Sequence, residues 1–311
     1  MKIAIMAAGG VGGYFGARLA AAGEEVHFIA RGAHLDAIGR DGLKLESALG
    51  DIHLVDAPAT DDPATIGAVD MVLFAVKLGD GEAAAHACKP LLGDHTTLIM
   101  LQNGVDGVAR LSAILRRQAV VGGVAYVSSF IAQPGTIRHH GEFARLQFGE
   151  ADGGASARLG DFMRVCAKAG IDAELAPDIE LAQWQKFTLL VGMSGATAMT
   201  RQPIGAVLGD PGTREFFYNL MAETVAVGRA RGIALDADYA RDRLAFAEQS
   251  LPPGMRASML DDLERGKPLE LNWLAGEVAR LGRELAIPTP ANDTVYAALK
   301  PHRGGANQAQ P

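Results

Sequence analysis

Residues 6–13 read MAAGGVGG, and the register that best fits a phosphate-binding turn is Ala7-x-Gly9-x-x-Gly12. In the G-x-G-x-x-G pattern the first glycine makes a tight turn. The second lets the backbone approach a pyrophosphate, and the third lets a helix pack closely on a strand. An alanine in first place forfeits only the first role. It costs little where φ is negative and more than about 1 kcal/mol where φ is positive. The competing register from Gly10 needs a glycine where Phe15 stands. Gly9, Gly10, Val11 and Gly12 are therefore the expected phosphate contacts, with Ala7 at the bend and a helix N-terminus near Val11 facing the anion. A glycine-rich turn alone equally marks a flexible loop, so its neighbours decide.

The second candidate is Arg31. The segment EVHFIA, residues 25–30, ends without an acid and runs into Arg31. A site for NAD places Asp or Glu there, on the ribose 2′-hydroxyl. A guanidinium suits a 2′-phosphate instead, which a carboxylate would repel. The cofactor expected from these residues is NADP(H). Other reactive side chains are less organised. His139 and His140 have no third ligand nearby and the other six histidines lack metal spacing, so no metal is expected. The serines near 128 and 194 lack the context of a nucleophile elbow.

Positioning such a turn requires a strand before it, a helix after it and a second strand, all within about 30 residues. KIAIM (2–6), VGGYFGARLAAAG closed by Gly23, and EVHFIA supply them in order. A short helix at HLDAIGR follows. Further buried strands are expected at 69–77, 96–102 and 119–128, and helices at 80–92 and 106–117. Alternation of this kind implies a parallel sheet covered on both faces. Ser128 follows the fifth strand, and strand ends are where ligands bind in such sheets. Short antiparallel strands are expected around Gly135, Gly141 and Gly149, then a surface loop at EADGGASA. Beyond Pro177 the spacing is helical over 179–199, 212–232, 237–250, 255–265 and 269–286, and the tail HRGGANQAQP is expected to be disordered. The fold class is α/β, a Rossmann-type dinucleotide-binding domain over 1–177 and an all-helical domain over 178–311.

Composition removes several alternatives. The chain has 311 residues, 49% hydrophobic and 21% charged, which suits a soluble globular protein of two domains. A net charge of −7 argues against nucleic acid as a partner. Only two cysteines occur, Cys88 and Cys166, in no motif, which fits a reducing cytoplasm. The glycines between Gly9 and Gly16 and the charge of Arg18 exclude a signal peptide, and no apolar run spans a membrane.

Beyond these readings, the sequence resembles the ketopantoate reductases (2-dehydropantoate 2-reductases). The matching stretches are GGVGGYFGARLAAAG, FIARGAHLDAI, FAVKLGD, LQNGV, WQKF, SMLDDLERGKPLELNWLAGEV and LGRELAIPTP, which span nearly the whole chain. The resemblance implies a Rossmann domain, an all-helical C-terminal domain and an active site in the cleft between them. It implies NADPH-dependent reduction of a 2-oxo acid, with 2-dehydropantoate to pantoate, a step of pantothenate biosynthesis, as the main reading. Carried over by position, Lys186 is the general acid and Glu270 sits beside cofactor and substrate. Ser258 binds substrate, and Lys77 and Asn103 contact the cofactor. The chemistry is coherent: hydride reaching a ketone carbon leaves charge on oxygen, which a lysine can protonate.

The sequence also departs from that family. Asparagines one and two turns after the lysine are replaced by Leu190 and Ser194, and a third falls at Ile204. These positions belong to the substrate pocket together with Lys186 and Ser258. Losing hydroxyl-binding groups removes selectivity for a hydroxylated substrate, unless Thr197, Thr200 or Arg201 replaces them. Leu190 would also desolvate Lys186 and lower its pKa. Two further readings follow: a reductase of a more apolar 2-oxo acid or imine, and a catalytically idle NADPH sensor. A homodimer is compatible with the apolar helical half.

Overall fold

The computed structural model describes residues 1–154 and 156–306. The chain divides into two compact units, one ending at Ala182 and the other beginning at Gln183.

The first unit is built on strands β1 (Lys2–Met6), β2 (Glu25–Ile29), β3 (Leu43–Glu46), β4 (Ile52–Leu54), β5 (Ala59–Thr60), β6 (Val69–Phe74), β7 (Leu92–Met100), β8 (Val120–Gln133), β9 (Thr136–Gly149) and β10 (Asp172–Leu175). Its helices are α1 (Gly10–Ala21), α2 (Gly32–Asp41), α3 (Gly81–Ala87), α4 (Gly107–Ile114) and α5 (Ala157–Lys168). The strands form one sheet in the order β4-β3-β9-β8-β7-β6-β1-β2-β5, with β10 also paired to β9. From β5 to β8 every pairing is parallel. The order reverses at β1, because α1 leads to β2 on one side and the chain later returns to β6 on the other. Such a switch point opens a crevice at the carboxyl ends of the strands, where the 7–12 turn lies. Both faces of β1 are buried. Ile3 and Ile5 join the cluster of Phe15 and Phe28, while Ala4 and Met6 join that of Leu98 and Leu111. That double burial is why KIAIM is apolar after Lys2, from Ile3 to Met6.

Several sequence expectations are corrected here. The third strand ends at Phe74 rather than residue 77, and the helix expected over 80–92 is only α3, followed by a tight turn at Lys89–Leu91 that contains Pro90. The short strands expected around Gly135 and Gly141 are one long hairpin, β8–β9, which turns at Gly135 with φ +78. β9 continues through Gly141, where the pairing slips: Val127 faces Ala144, whereas Ser129 faces His139. Strands β3, β4, β5 and β10 are too short for alternation to mark them. Helix α5 stands where no element is expected from the sequence, with Leu159, Phe162 and Cys166 as its buried stripe.

The second unit is helical. Helix α6 (Ile179–Thr200) starts in the first unit and continues into it, followed by α7 (Ile204–Gly209), α8 (Pro211–Ala230), α9 (Tyr239–Ser250), α10 (Ser258–Glu264), α11 (Ala275–Leu285) and α12 (Pro290–Leu299). The single helix expected over 269–286 is a 3₁₀ turn, Glu270–Trp273, followed by α11, because Leu274 leaves helical geometry. Gly192 and Gly195 bring neighbours against α6. A Cβ on Gly192 would lie 2.7 Å from Met221, and one on Gly195 2.8 Å from Leu220. The tail is not free at its start: Leu269 donates to Arg303 O and Ala306 to Gly266 O, each at 2.9 Å. Residues 307–311 of the expected disordered tail lie outside the described residues. Among the described residues no helix is long and apolar enough to cross a membrane.

Candidate active site

The turn after β1 separates the roles of its small residues. Ala7 has φ +74, so the alanine occupies the strained left-handed region. That conformation costs an L-residue roughly 1–2 kcal/mol relative to glycine. Gly9 is extended and caps α1 with no side-chain hydrogen bond, and a Cβ on it would meet nothing within 4 Å. That open direction is the cradle a pyrophosphate needs. A Cβ on Gly12 would lie 2.2 Å from Ala7 O, which is the close helix–strand approach required of the third position. Gly10 has a separate reason: its Cβ would strike Ser129 O of β8 at 2.1 Å. Val11 is half-buried and the first turn of α1 carries no acid to oppose an anion. Phe15, which the competing register needs as glycine, is fully buried in the core. The turn fits a dinucleotide phosphate.

Arg31 follows β2 after Ala30, is exposed and stands at the N-cap of α2. Among the described residues no carboxylate pairs with it. At the other strand ends, Lys77 is exposed after β6, Asn103 is half-buried after β7, and Gly104 beside it has φ +90. Gln102, which sequence reasoning passed over, ties these ends together. Its Nε2 donates to Val76 O at 3.0 Å and to Lys77 O at 3.3 Å. The signal for it was the paired amides of LQNGV. Ser128 is exposed near the slip in the β8–β9 ladder, while the neighbouring Ser129 hydroxyl is buried without a hydrogen bond.

The second unit carries the lysine. Lys186 is half-buried on α6, and burial pushes its pKa down to about 8, while the carboxylate of Glu270 pulls the other way. Glu270 opens the 3₁₀ turn and is itself half-buried. Leu190 and Ser194 follow at one and two turns. Leu190 is half-buried, whereas the Ser194 hydroxyl is buried without a hydrogen bond. Two of the alternative donors, Thr197 and Thr200, turn their hydroxyl protons into the helix, donating to Met193 O at 2.7 Å and to Ala196 O at 2.8 Å. Arg201 lies fifteen residues beyond Lys186, roughly 22 Å along the helix. Ile204 is fully buried and donates its amide to Met255 O. Ser258 is exposed at the start of α10.

The adjacent histidines and the two cysteines are engaged within the fold. His139 hydrogen-bonds the Ser47 hydroxyl at 3.0 Å and packs on Tyr14, and His140 stacks on Phe130. Cys88 and Cys166 are buried free thiols, each pushed up to about 12 by desolvation. Among the described residues no group of three metal-ligating side chains is placed to hold an ion.

A phosphate turn at the switch point of a parallel sheet, with a depressed lysine carried by a helical unit, is the equipment of a dinucleotide-dependent oxidoreductase. Comparison with known proteins gives the family. Residues 3–153 match the model described as Ketopantoate reductase PanE/ApbA, and residues 178–303 match its C-terminal counterpart. The chain belongs to the ketopantoate reductase family. It is 34% identical to a 2-dehydropantoate 2-reductase of Mesorhizobium japonicum over 321 aligned positions, covering 96% of this chain and 97% of that one. It is 36% identical to a solved PanE/ApbA family ketopantoate reductase from Ralstonia eutropha, with a TM-score of 0.89 and coverage of 97% and 98%. The fold is also that of a D-mandelate dehydrogenase solved with NADH and anilino(oxo)acetate, at 18% identity, a TM-score of 0.89 and coverage of 97% and 98%.

Proposed function

We propose that this protein reduces a 2-oxo acid to the 2-hydroxy acid with NADPH, and that 2-dehydropantoate is the first substrate to test. The observation that carries the reading is Lys186, a half-buried ammonium on α6 with its pKa drawn down to about 8 within the field of Glu270. At pH 7 roughly nine in ten such groups hold a proton, and the proton is easily given.

The dinucleotide would supply the hydride. Residues 1–177 hold it in this reading: the 7–12 turn takes the pyrophosphate, Arg31 the 2′-phosphate, and Lys77, Asn103 and Ser128 make further contacts at the strand ends. Residues 178–311 do the rest. Lys186 Nζ donates its proton to the carbonyl oxygen as negative charge develops there, and its positive charge stabilises that oxygen before the transfer. Glu270 keeps the lysine protonated and orients it, and Ser258 binds the substrate.

A second reading, a reductase of a more apolar 2-oxo acid or an imine, is favoured by particular side chains. Leu190 stands one turn from Lys186, Ile204 is buried, and the nearby threonine protons are committed within α6. A panel of 2-oxo acids with and without a hydroxyl, followed by NADPH oxidation, separates the readings. Replacing Lys186 by Ala is expected to lower kcat at least 100-fold while leaving the NADPH Kd within about threefold. Unchanged turnover would remove Lys186 from the chemistry.

A further inference from the structure

Helix α2 presents its imidazole, His34, to two backbone groups that are distant in sequence. His34 Nδ1 accepts the Gly135 N–H at 3.0 Å, and Nε2 lies 2.9 Å from Ala8 O. An amide N–H can only donate, so Nδ1 holds a lone pair. A carbonyl oxygen can only accept, so Nε2 holds the hydrogen. The ring is therefore neutral and its tautomer is set by its partners. It is half-buried, and burial lowers its pKa below the usual histidine value.

Both partners are bends. Ala8 follows Ala7, the residue at φ +74, and Gly135 is the hairpin turn at φ +78. The peptides on either side of Ala8 are both held: the Ala8 N–H donates to Ile29 O at 2.8 Å and the Ala8 C=O accepts from His34. Gly135 O in turn accepts from Lys44 at 2.9 Å, which fastens the hairpin to β3. A non-glycine residue at positive φ persists only where its surroundings over-determine it. Helix α2 places one such restraint, the His34 bond to Ala8 O, on the residue that follows Ala7.

We infer that His34 is a positioning residue of the dinucleotide site: by donating to Ala8 O it holds the strained Ala7–Gly9 bend in the shape that presents Gly9 and the α1 amides to the pyrophosphate. The inference rests on the dinucleotide reading of that turn, which the experiment below tests separately.

The experiment measures NADPH affinity by calorimetry for the wild type and for His34→Ala, His34→Gln, Ala7→Gly and the His34→Ala/Ala7→Gly double variant. His34→Ala is expected to raise the Kd about tenfold, the scale of one net hydrogen bond, with kcat at saturating NADPH unchanged. His34→Gln keeps a donor for Ala8 O and is expected to recover most of the affinity. In the Ala7→Gly background, removing His34 is expected to cost less than about threefold, because no strained bend remains to be held. An equal loss in both backgrounds, or no loss in either, would overturn the inference. ¹⁵N spectra of the folded wild type add a reading that needs no variant. A neutral ring protonated at Nε2 supports the inference, and protonation at Nδ1 overturns it. A folded wild type that binds no NADPH would overturn the dinucleotide reading itself, and this shows before any variant is compared.

Discussion

Lys186 and Ala7 are both departures from what their residue types ordinarily do. A solvated lysine is a poor acid near neutrality, and burial brings this one to about 8. A general acid must carry its proton, so kcat/KM is expected to hold steady below pH 8 and to fall as pH rises through that value. Glu270 favours the protonated lysine. Replacing Glu270 by Gln should therefore shift the descending limb to lower pH, and a pH–rate profile of both proteins checks the direction. An unmoved limb would separate Glu270 from the proton donor. At this scale the sequence is partly legible. The spacing around Ala7 is readable, but its φ is not, because the same letters tolerate either sign. The role of His34 cannot be read at all, since its partners Ala8 and Gly135 are 26 and 101 residues away.

Helix α6 is the element on which substrate choice turns. Its one face carries Lys186, Leu190 and Ser194 in successive turns, and its other contacts require Gly192 and Gly195 so that α8 and α12 can approach. Replacing Leu190 by Asn adds a donor one turn from the lysine and lessens its desolvation. The expected result is at least a tenfold gain in kcat/KM for a hydroxylated 2-oxo acid relative to its apolar analogue. The descending pH limb should also move upward. Steady-state kinetics on the matched pair of substrates decides it, and an unchanged ratio would take Leu190 out of the pocket. Long elements such as α6 and α8 are legible because many turns repeat the same apolar spacing. The two- to four-residue strands β3, β4, β5 and β10 are not, because pairing partners rather than local pattern create them. Helix α5 was legible in principle through Leu159, Phe162 and Cys166, but the glycine-rich stretch before it hides its start.

For the whole molecule, ligand binding and stability are linked. A ligand at 100 times its Kd stabilises the folded state by about 2.7 kcal/mol. NADPH is thus expected to raise Tm more than NADH at equal concentration, and Arg31→Ala should bring the two shifts together. Thermal melts with each dinucleotide test this, and an intact difference in the variant would remove Arg31 from the 2′-phosphate. The broad plan of a parallel sheet followed by helices is legible because the period of the apolar residues changes from strand-like to helical along the chain. The hairpin β8–β9 is less so, since its strands run 14 residues each through glycines that ordinarily end a strand.

The outermost strands of the sheet are its shortest. β5 at one end has two residues and β4 at the other has three. A long uncovered strand offers a ladder of amides and carbonyls on which a second chain can grow, and very short edges deny it. The two ends of the strand order therefore give little footing for a second copy to add a strand to the sheet.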